Sequence, residues 1–207
     1  MSKLLIIGAG GHGRMIADVA AATGRWSSIA FLDDEVQRLP EDLPWEVLGS
    51  CDLLESVSGD HDSLVPGFGD NALRHEWAGR ISTLGIELAS VVSPQAIVSR
   101  HAKLGPGTVV MPGAIVNIGA TTGRGVIINT SATVDHDCHL ADGAHVAPGV
   151  SLGGGVRVGE RSLIGVGASV RNGITIGRDV TVGVGAAVHA DLPDECTVVG
   201  VPARPLH

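Results

Sequence analysis

The 207-residue sequence has no tyrosine and only two phenylalanines, and aromatic residues make up 2% of it. Globular cores usually draw much of their buried area from aromatic rings. This core must instead be assembled from Val, Ile, Leu and Ala packed at short range, which favours a repetitive architecture. Concentrated positive charge is also missing: the net charge is −8 and no Lys/Arg cluster occurs. Nucleic acid is therefore not expected as a partner, since neutralising phosphates needs a dense basic surface. Cys51, Cys138 and Cys196 form no CxxC pair, which argues against a disulfide framework and for a reducing, cytoplasmic setting. Long apolar runs are lacking too. The run that Gly8 ends is too short for a signal peptide. The uncharged span Leu104–Gly123 is broken by Gly105, Pro106, Gly107, Pro112 and Gly113, so no membrane association is expected.

What is present is a six-residue period. Stepping by six from Val92 to Val188 meets Val, Leu or Ile at sixteen of seventeen positions, Thr122 being the exception. Four residues after each lies a second series, nearly all small or β-branched, running from Ala96 through Ala132, Cys138 and Ala168 to Leu192. Neither a 3.6-residue helical period nor an alternating strand produces this pattern. It describes the face of a three-sided parallel coil with eighteen residues per turn and turns stacked at about 4.8 Å. The large aliphatics fill the lumen, and glycine or asparagine is expected at positive-φ corners. Cys138 falls in the inward series and reads as core filling. Pro193 ends the pattern.

The first ninety residues are of another kind. The apolar run Lys3–Ile7 leads into Gly8-Ala-Gly10-Gly11-His12-Gly13, and residues 14 to 23 have helical character. Strand, glycine turn and helix start together offer free backbone N–H groups to a phosphate or diphosphate. Ile29–Leu32 reads as a second strand ending in Asp33-Asp34, where a doubly wound sheet meets ribose or base. Leu64–Gly69 reads as a third strand, followed by Asp70-Asn71 and a helix to about Leu84. The expected organisation is an α/β Rossmann-like domain over 1–88 and a β-helix domain with a closing tail over 89–207. A dehydrogenase is disfavoured, because no catalytic domain for hydride transfer follows the glycine motif.

The hexapeptide period resembles that of the left-handed β-helix acyltransferases. A nucleotide-binding βαβ unit followed by such a coil resembles the sugar O-acyltransferase (NeuD/PglD-like) family over essentially the whole chain. The residues carrying the likeness are Gly8–Gly13, Phe31-Leu32-Asp33-Asp34 and Gly67-Phe68-Gly69-Asp70-Asn71-Ala72-Leu73-Arg74. The resemblance implies N-acetylation of a nucleotide-linked amino sugar, such as a 4-amino-4,6-dideoxy sugar, from acetyl-CoA. It also implies nucleotide-sugar contacts at Gly10, Gly11, His12, Gly13, Asp33, Asp34, Gly69 and Asn71, and a homotrimer with a site in each groove between subunits.

Amide formation from a thioester needs a base, oxyanion donors and reactants held in register. His136, flanked by Asp135 and Asp137, offers the base. A neighbouring carboxylate can fix its tautomer; the family places an acid directly after this histidine, which favours Asp137, with Asp135 an alternative. His136 lies two places after the inward Val134 and so faces outward. Gly154, eighteen residues on, stacks against it and offers an unobstructed N–H. The resemblance adds His145 and Asn129 as acetyl-site residues. Coenzyme A is expected along the later coils, near Gly167, Ala168, Gly173 and Gly185. A zinc site of the kind found on related coils is disfavoured, since Leu140 and Ala141 stand where a third ligand after His101 and His136 is needed. Alternatives are O-acetylation of a sugar hydroxyl such as that of a sialic acid, and a non-catalytic sugar-nucleotide-binding protein.

Overall fold

The computed structural model describes residues 2–206. Strand β1 (Lys3–Ile7) runs into helix α1 (Gly11–Thr23), followed by β2 (Ser28–Leu32), β3 (Glu46–Val47), the short helix α2 (Leu54–Val57), β4 (Ser63–Pro66), α3 (Asn71–Ser82) and β5 (Glu87–Leu88). These strands form one parallel sheet in the order β3-β2-β1-β4-β5, a doubly wound arrangement. The sheet is parallel and covered on both faces, so its central strands are continuously apolar: Leu4, Leu5, Ile6 and Ile7 are all fully buried. The chain order reverses between β1 and β4. Two glycine-bearing loops leave those strands side by side and open a crevice.

From Val91 onward the chain winds as a three-faced coil. The first face stacks strands from Val91–Val92 through His145–Val146 to Thr181–Val182 and Thr197–Val199. The second runs from Ile97–Val98 through Thr133–Val134 to Ala187–Val188, and the third from Thr121–Thr122 to Thr175–Ile176. Within the repeat, successive strands are parallel and offset by eighteen residues, as in Thr133↔Ser151 and His139↔Arg157. The inward aliphatic series is dry: Ile128, Val134, Leu140, Val146, Ile164 and Val182 are 0% exposed. Each such side chain contributes about 1.5–3 kcal/mol on burial, and Cys138 joins them as filling. The last strand, Arg204–Pro205, turns back antiparallel against Val198–Val199.

The corners differ from expectation in one respect. Every sixth residue from Gly107 to Gly185 has positive φ, and no asparagine is among them; the non-glycine corners are Ser131, Asp137, Arg161 and Asp179. Paired charges line the edge between the third and first faces, where Arg124 meets Asp142 and Arg161 meets Asp179.

The two regions share a core. Val91, Val109 and Met111 point out of the coil's first face and are at most 1% exposed because they pack with Ile16, Ala17 and Ala20 of α1. The N-terminal sheet thus rests on the first face of the coil.

Candidate active site

At the crevice, Gly8, Gly10, Gly11, His12, Asp33, Asp34, Cys51 and Gly69 border a cavity of about 370 Å³. Helix α1 begins there, with Gly10 as its N-cap and no acidic residue in its first turn. Its first amides have no intrahelical acceptor and suit a phosphate. Gly13 does not line this cavity. A Cβ there would overlap the Gly8 carbonyl, so Gly13 instead lets α1 approach β1 closely. Asp33 accepts from Ala9 N at 2.6 Å and from Glu35 N at 2.7 Å, and Asp34 accepts from Cys51 N at 2.7 Å. Both carboxylates therefore shape the loops around the cavity as well as facing it. Burial, then the charge of Asp34, pushes the Cys51 thiol up to about 12, so this cavity thiol stays protonated. Asn71 is turned away from the cavity and donates to Arg161 O across the seam with the coil at 2.9 Å.

A second cluster stands on the corner between the second and third faces. His136 Nδ1 lies 2.9 Å from Asp137 Oδ2, and both side chains are open, at 55% and 72% exposure. Asp137 occupies one of the positive-φ corners, which Asp tolerates better than most residues with a side chain. Asp135 faces elsewhere: its Oδ1 accepts from Asn117 Nδ2 at 2.9 Å and from His136 N at 2.7 Å. The hydrogen bond from Asn117, then that from the His136 amide, hold the Asp135 carboxyl below its ordinary range. His136 is held above the ordinary histidine range, first by its bond to Asp137 and next by the charge of Asp135.

The pair sits on two bare coils. A Cβ on Gly154 would run into the His136 ring, reaching Nε2, Cε1 and Cδ2, and one on Gly119 would run into the Asp137 carboxylate. Gly154 itself is buried, and its N–H has no backbone acceptor among the described residues. Gly119, one coil before Asp137, escaped the sequence reading. The eighteen-residue offset that pointed to Gly154 points to Gly119 as well.

His145 lies on the first face, partly buried at the seam with the N-terminal domain. Its Nε2 is 3.1 Å from Asn129 Nδ2, and its ring centroid is 6.5 Å from that of His12. Burial foremost, then the charge of Arg74, lowers His12 to about 4 and His145 to about 3. The site residues thus form two groups on different sides of the coil: His12, Asn129 and His145 at the domain seam, and His136, Asp137 and Gly154 at the far corner.

Of the residues expected along coenzyme A, Ala168 does not fit. Its methyl is 0% exposed inside the lumen and its N–H is bound to Gly165 O. Gly167, Gly173 and Gly185 stand at open corners, but their N–H groups are bound to Pro148 O, Gly154 O and Val166 O. Their carbonyls accept no backbone N–H among the described residues.

A parallel coil with a histidine–carboxylate pair on its edge, joined to a doubly wound βαβ sheet, defines a class: a β-helix acyltransferase with an attached Rossmann-like domain. The model of the PglD N-terminal domain matches residues 3–81. The acetyltransferase domain of PglB from Neisseria gonorrhoeae FA1090, solved with acetyl coenzyme A, is 44% identical, with a TM-score of 0.94 over 99% of this chain and 98% of that one. A perosamine N-acetyltransferase variant from Caulobacter crescentus, solved with CoA and GDP-perosamine, is 36% identical, with a TM-score of 0.93 over 100% and 98%. UDP-N-acetylbacillosamine N-acetyltransferase of Bacillus subtilis (strain 168) is 36% identical over 110 residues, 53% of this chain and 51% of that protein. The match therefore spans about half the length of this curated relative. The chain belongs to the PglD-like family of sugar N-acetyltransferases, and its coil is left-handed.

Proposed function

We propose that the protein transfers the acetyl group of acetyl-CoA to the amine of a nucleotide-linked amino sugar. The observation that carries this reading is the stacking of His136 on Gly154. That arrangement sets an outward imidazole, held by Asp137, beside a backbone N–H with no acceptor of its own.

The crevice beside Gly10, Gly11 and His12 takes the nucleotide diphosphate, and Gly69 lines the same wall. His136 Nε2 removes the proton as the sugar amine attacks the thioester carbonyl. The carbon–nitrogen bond forms, and the carbonyl oxygen gathers negative charge against the Gly154 N–H. The tetrahedral adduct then collapses, the carbon–sulfur bond breaks, and the coenzyme A thiolate takes a proton from the imidazolium. Asp137 stabilises that imidazolium through Nδ1 and fixes the tautomer. Binding entropy supplies the rest of the acceleration.

His136 and the nucleotide crevice lie on different sides of one coil, so we read the working form as a homotrimer in which the groove between subunits brings them together. The charge distribution supports this. The charged pairs occupy one corner, whereas the corner between the first and second faces presents Pro94, Pro112, Pro148, Val166 and Val184, the last two 47% and 77% exposed. Closed threefold symmetry covers such a strip. No helix among the described residues is long and apolar enough to cross a membrane. The reduced cysteines and the two co-substrates fit the cytoplasm.

The test is release of free coenzyme A from acetyl-CoA across a panel of UDP-, GDP- and dTDP-linked 4-amino sugars, with a free sialic acid as the hydroxyl control. Thiol release only with amino sugars supports the reading. Release only with the hydroxyl substrate replaces it with O-acetylation, and absence of acetyl-CoA binding by calorimetry refutes it. Light scattering at the trimer mass supports the assembly, and a monomer active at high dilution refutes it.

A further inference from the structure

Arg74 is the largest fully buried side chain of the molecule at 1% exposure. Its Nε donates to Gly125 O at 2.8 Å and its Nη2 to Gly143 O at 2.7 Å, on two successive coils. The same guanidinium donates to Phe68 O and Gly69 O in the loop after β4, and to Asn71 Oδ1 at 2.8 Å. Its close acceptors are carbonyls and one amide, and among the described residues it forms no salt bridge with a carboxylate. Burying a guanidinium without a counter-ion costs several kcal/mol, a cost that calls for a compensating role. Burial brings Arg74 down to about 10, so it stays charged at neutral pH.

We propose that Arg74 is a positioning residue that clamps the N-terminal domain to the coil through Gly143, two residues before His145, and through Phe68 and Gly69, and thereby sets the spacing of His12 and His145 at the seam. The proposal deepens the acetyltransferase reading, on which its kinetic arm rests.

The tautomer of His145 follows from its neighbour. Thr130 N donates to Asn129 Oδ1 at 2.8 Å, so the Asn129 NH₂ faces His145 and donates to Nε2. Nε2 therefore carries the lone pair and Nδ1 the proton. A second proton on His145 would confront Arg74 and His12, both of which lower its affinity after burial has done so. His12 Nε2 is buried and has no hydrogen-bond partner among the described residues.

The other charged groups nearby are engaged or face elsewhere. Asp33 and Asp34, in the cavity beside His12, accept backbone amides; Glu35 borders the same cavity; and the Asp70 carboxylate caps Leu73 N at 2.8 Å. His75, next on α3, lies against Gly143. Along the coil His145 stands between Ile127 and Leu163, which carry no charge. The charge of Arg74 lowers both imidazoles, second only to burial. The pair it holds presents a fixed hydrogen-bonding pattern to the sugar nucleotide across the neutral pH range.

The experiment is histidine-ring NMR titration of the full chain, with nine histidines to resolve, combined with steady-state kinetics of Arg74→Lys and Arg74→Gln. In the unmodified protein two rings stay neutral down to about pH 5, one of them in the Nδ1–H form. If all nine rings titrate near the unperturbed value of about 6.5, the proposal is overturned whatever the variants do. Arg74→Lys keeps the charge and loses the fork. It should leave both rings neutral, raise KM for the sugar nucleotide about tenfold and change kcat less than threefold, the pattern of lost uniform binding. Arg74→Gln should raise both ring pKa values and add an acid limb to kcat/KM. Equal behaviour of the two variants, or a fall in kcat alone, overturns the positioning role. Should no substrate release coenzyme A, the activity reading fails while the NMR result still decides the state of the pair.

Discussion

His136 and the His12–His145 pair are the same side chain in opposite surroundings. His136 stands in solvent with a carboxylate on Nδ1 and is held above the ordinary range. The pair is largely withdrawn from solvent, within reach of the charge of Arg74, and held near 4 and 3. The first setting suits a group that gains and loses a proton near neutral pH. The second suits groups that must not. The difference comes from architecture: a corner of the coil leaves a side chain exposed, whereas the seam between coil and sheet removes it from water.

The comparison is broken most severely by removing the exposed ring. His136→Ala should lower kcat/KM by roughly 10²–10⁴ with thermal stability unchanged, measured by thiol release and scanning calorimetry. Near-normal turnover would remove His136 from the mechanism. Gly154→Ala sets a methyl into the ring position and should cost about 10² in kcat, with acetyl-CoA affinity retained in calorimetry.

Asp137→Asn should have a smaller effect, about fivefold in kcat/KM, because the ring remains and loses only an orienting charge that is itself open to solvent. It also carries a pH signature. His136 must be neutral to act, so kcat/KM rises with pH through a pKa above 6.5. Removing Asp137 takes away the largest cause of that elevation and moves the acid limb to lower pH. A limb that stays put would assign it to another group.

The smallest effect falls on stability. The unfolded chain protonates His12 and His145 near 6.5, whereas the folded chain does so near 4 and 3, so the unfolded state binds more protons in that window. Stability is therefore full above about pH 6.5 and declines as pH falls towards 4. His145→Asn should flatten the decline in melting temperature between pH 7 and 5 by a few degrees.

The coil was legible because its six-residue period is independent of any contact outside it, and the same arithmetic placed Gly154 on His136. The positive-φ corners at Ser131, Asp137, Arg161 and Asp179 were not, because φ at a residue with a side chain is set by the turns stacked around it. The crevice was readable from glycine spacing, though Gly13 lies off its wall and lets α1 approach β1. The seam was the least legible part. His12 and His145 are 133 positions apart in the sequence, and their meeting depends on Arg74, which looks like an ordinary surface cation. One signal was available: Arg74, Ala78 and Ile81 share the i, i+4, i+7 spacing of a buried stripe on α3. A charge on that stripe marks a group held for a purpose.

The reversed strand Arg204–Pro205 has a consequence for solubility. A stack of parallel strands ends in a row of open amides and carbonyls that can recruit another chain. Here the outermost strand runs backwards and carries a proline, which has no hydrogen to donate. The first face of the coil is thereby blunted against pairing with another chain at that end.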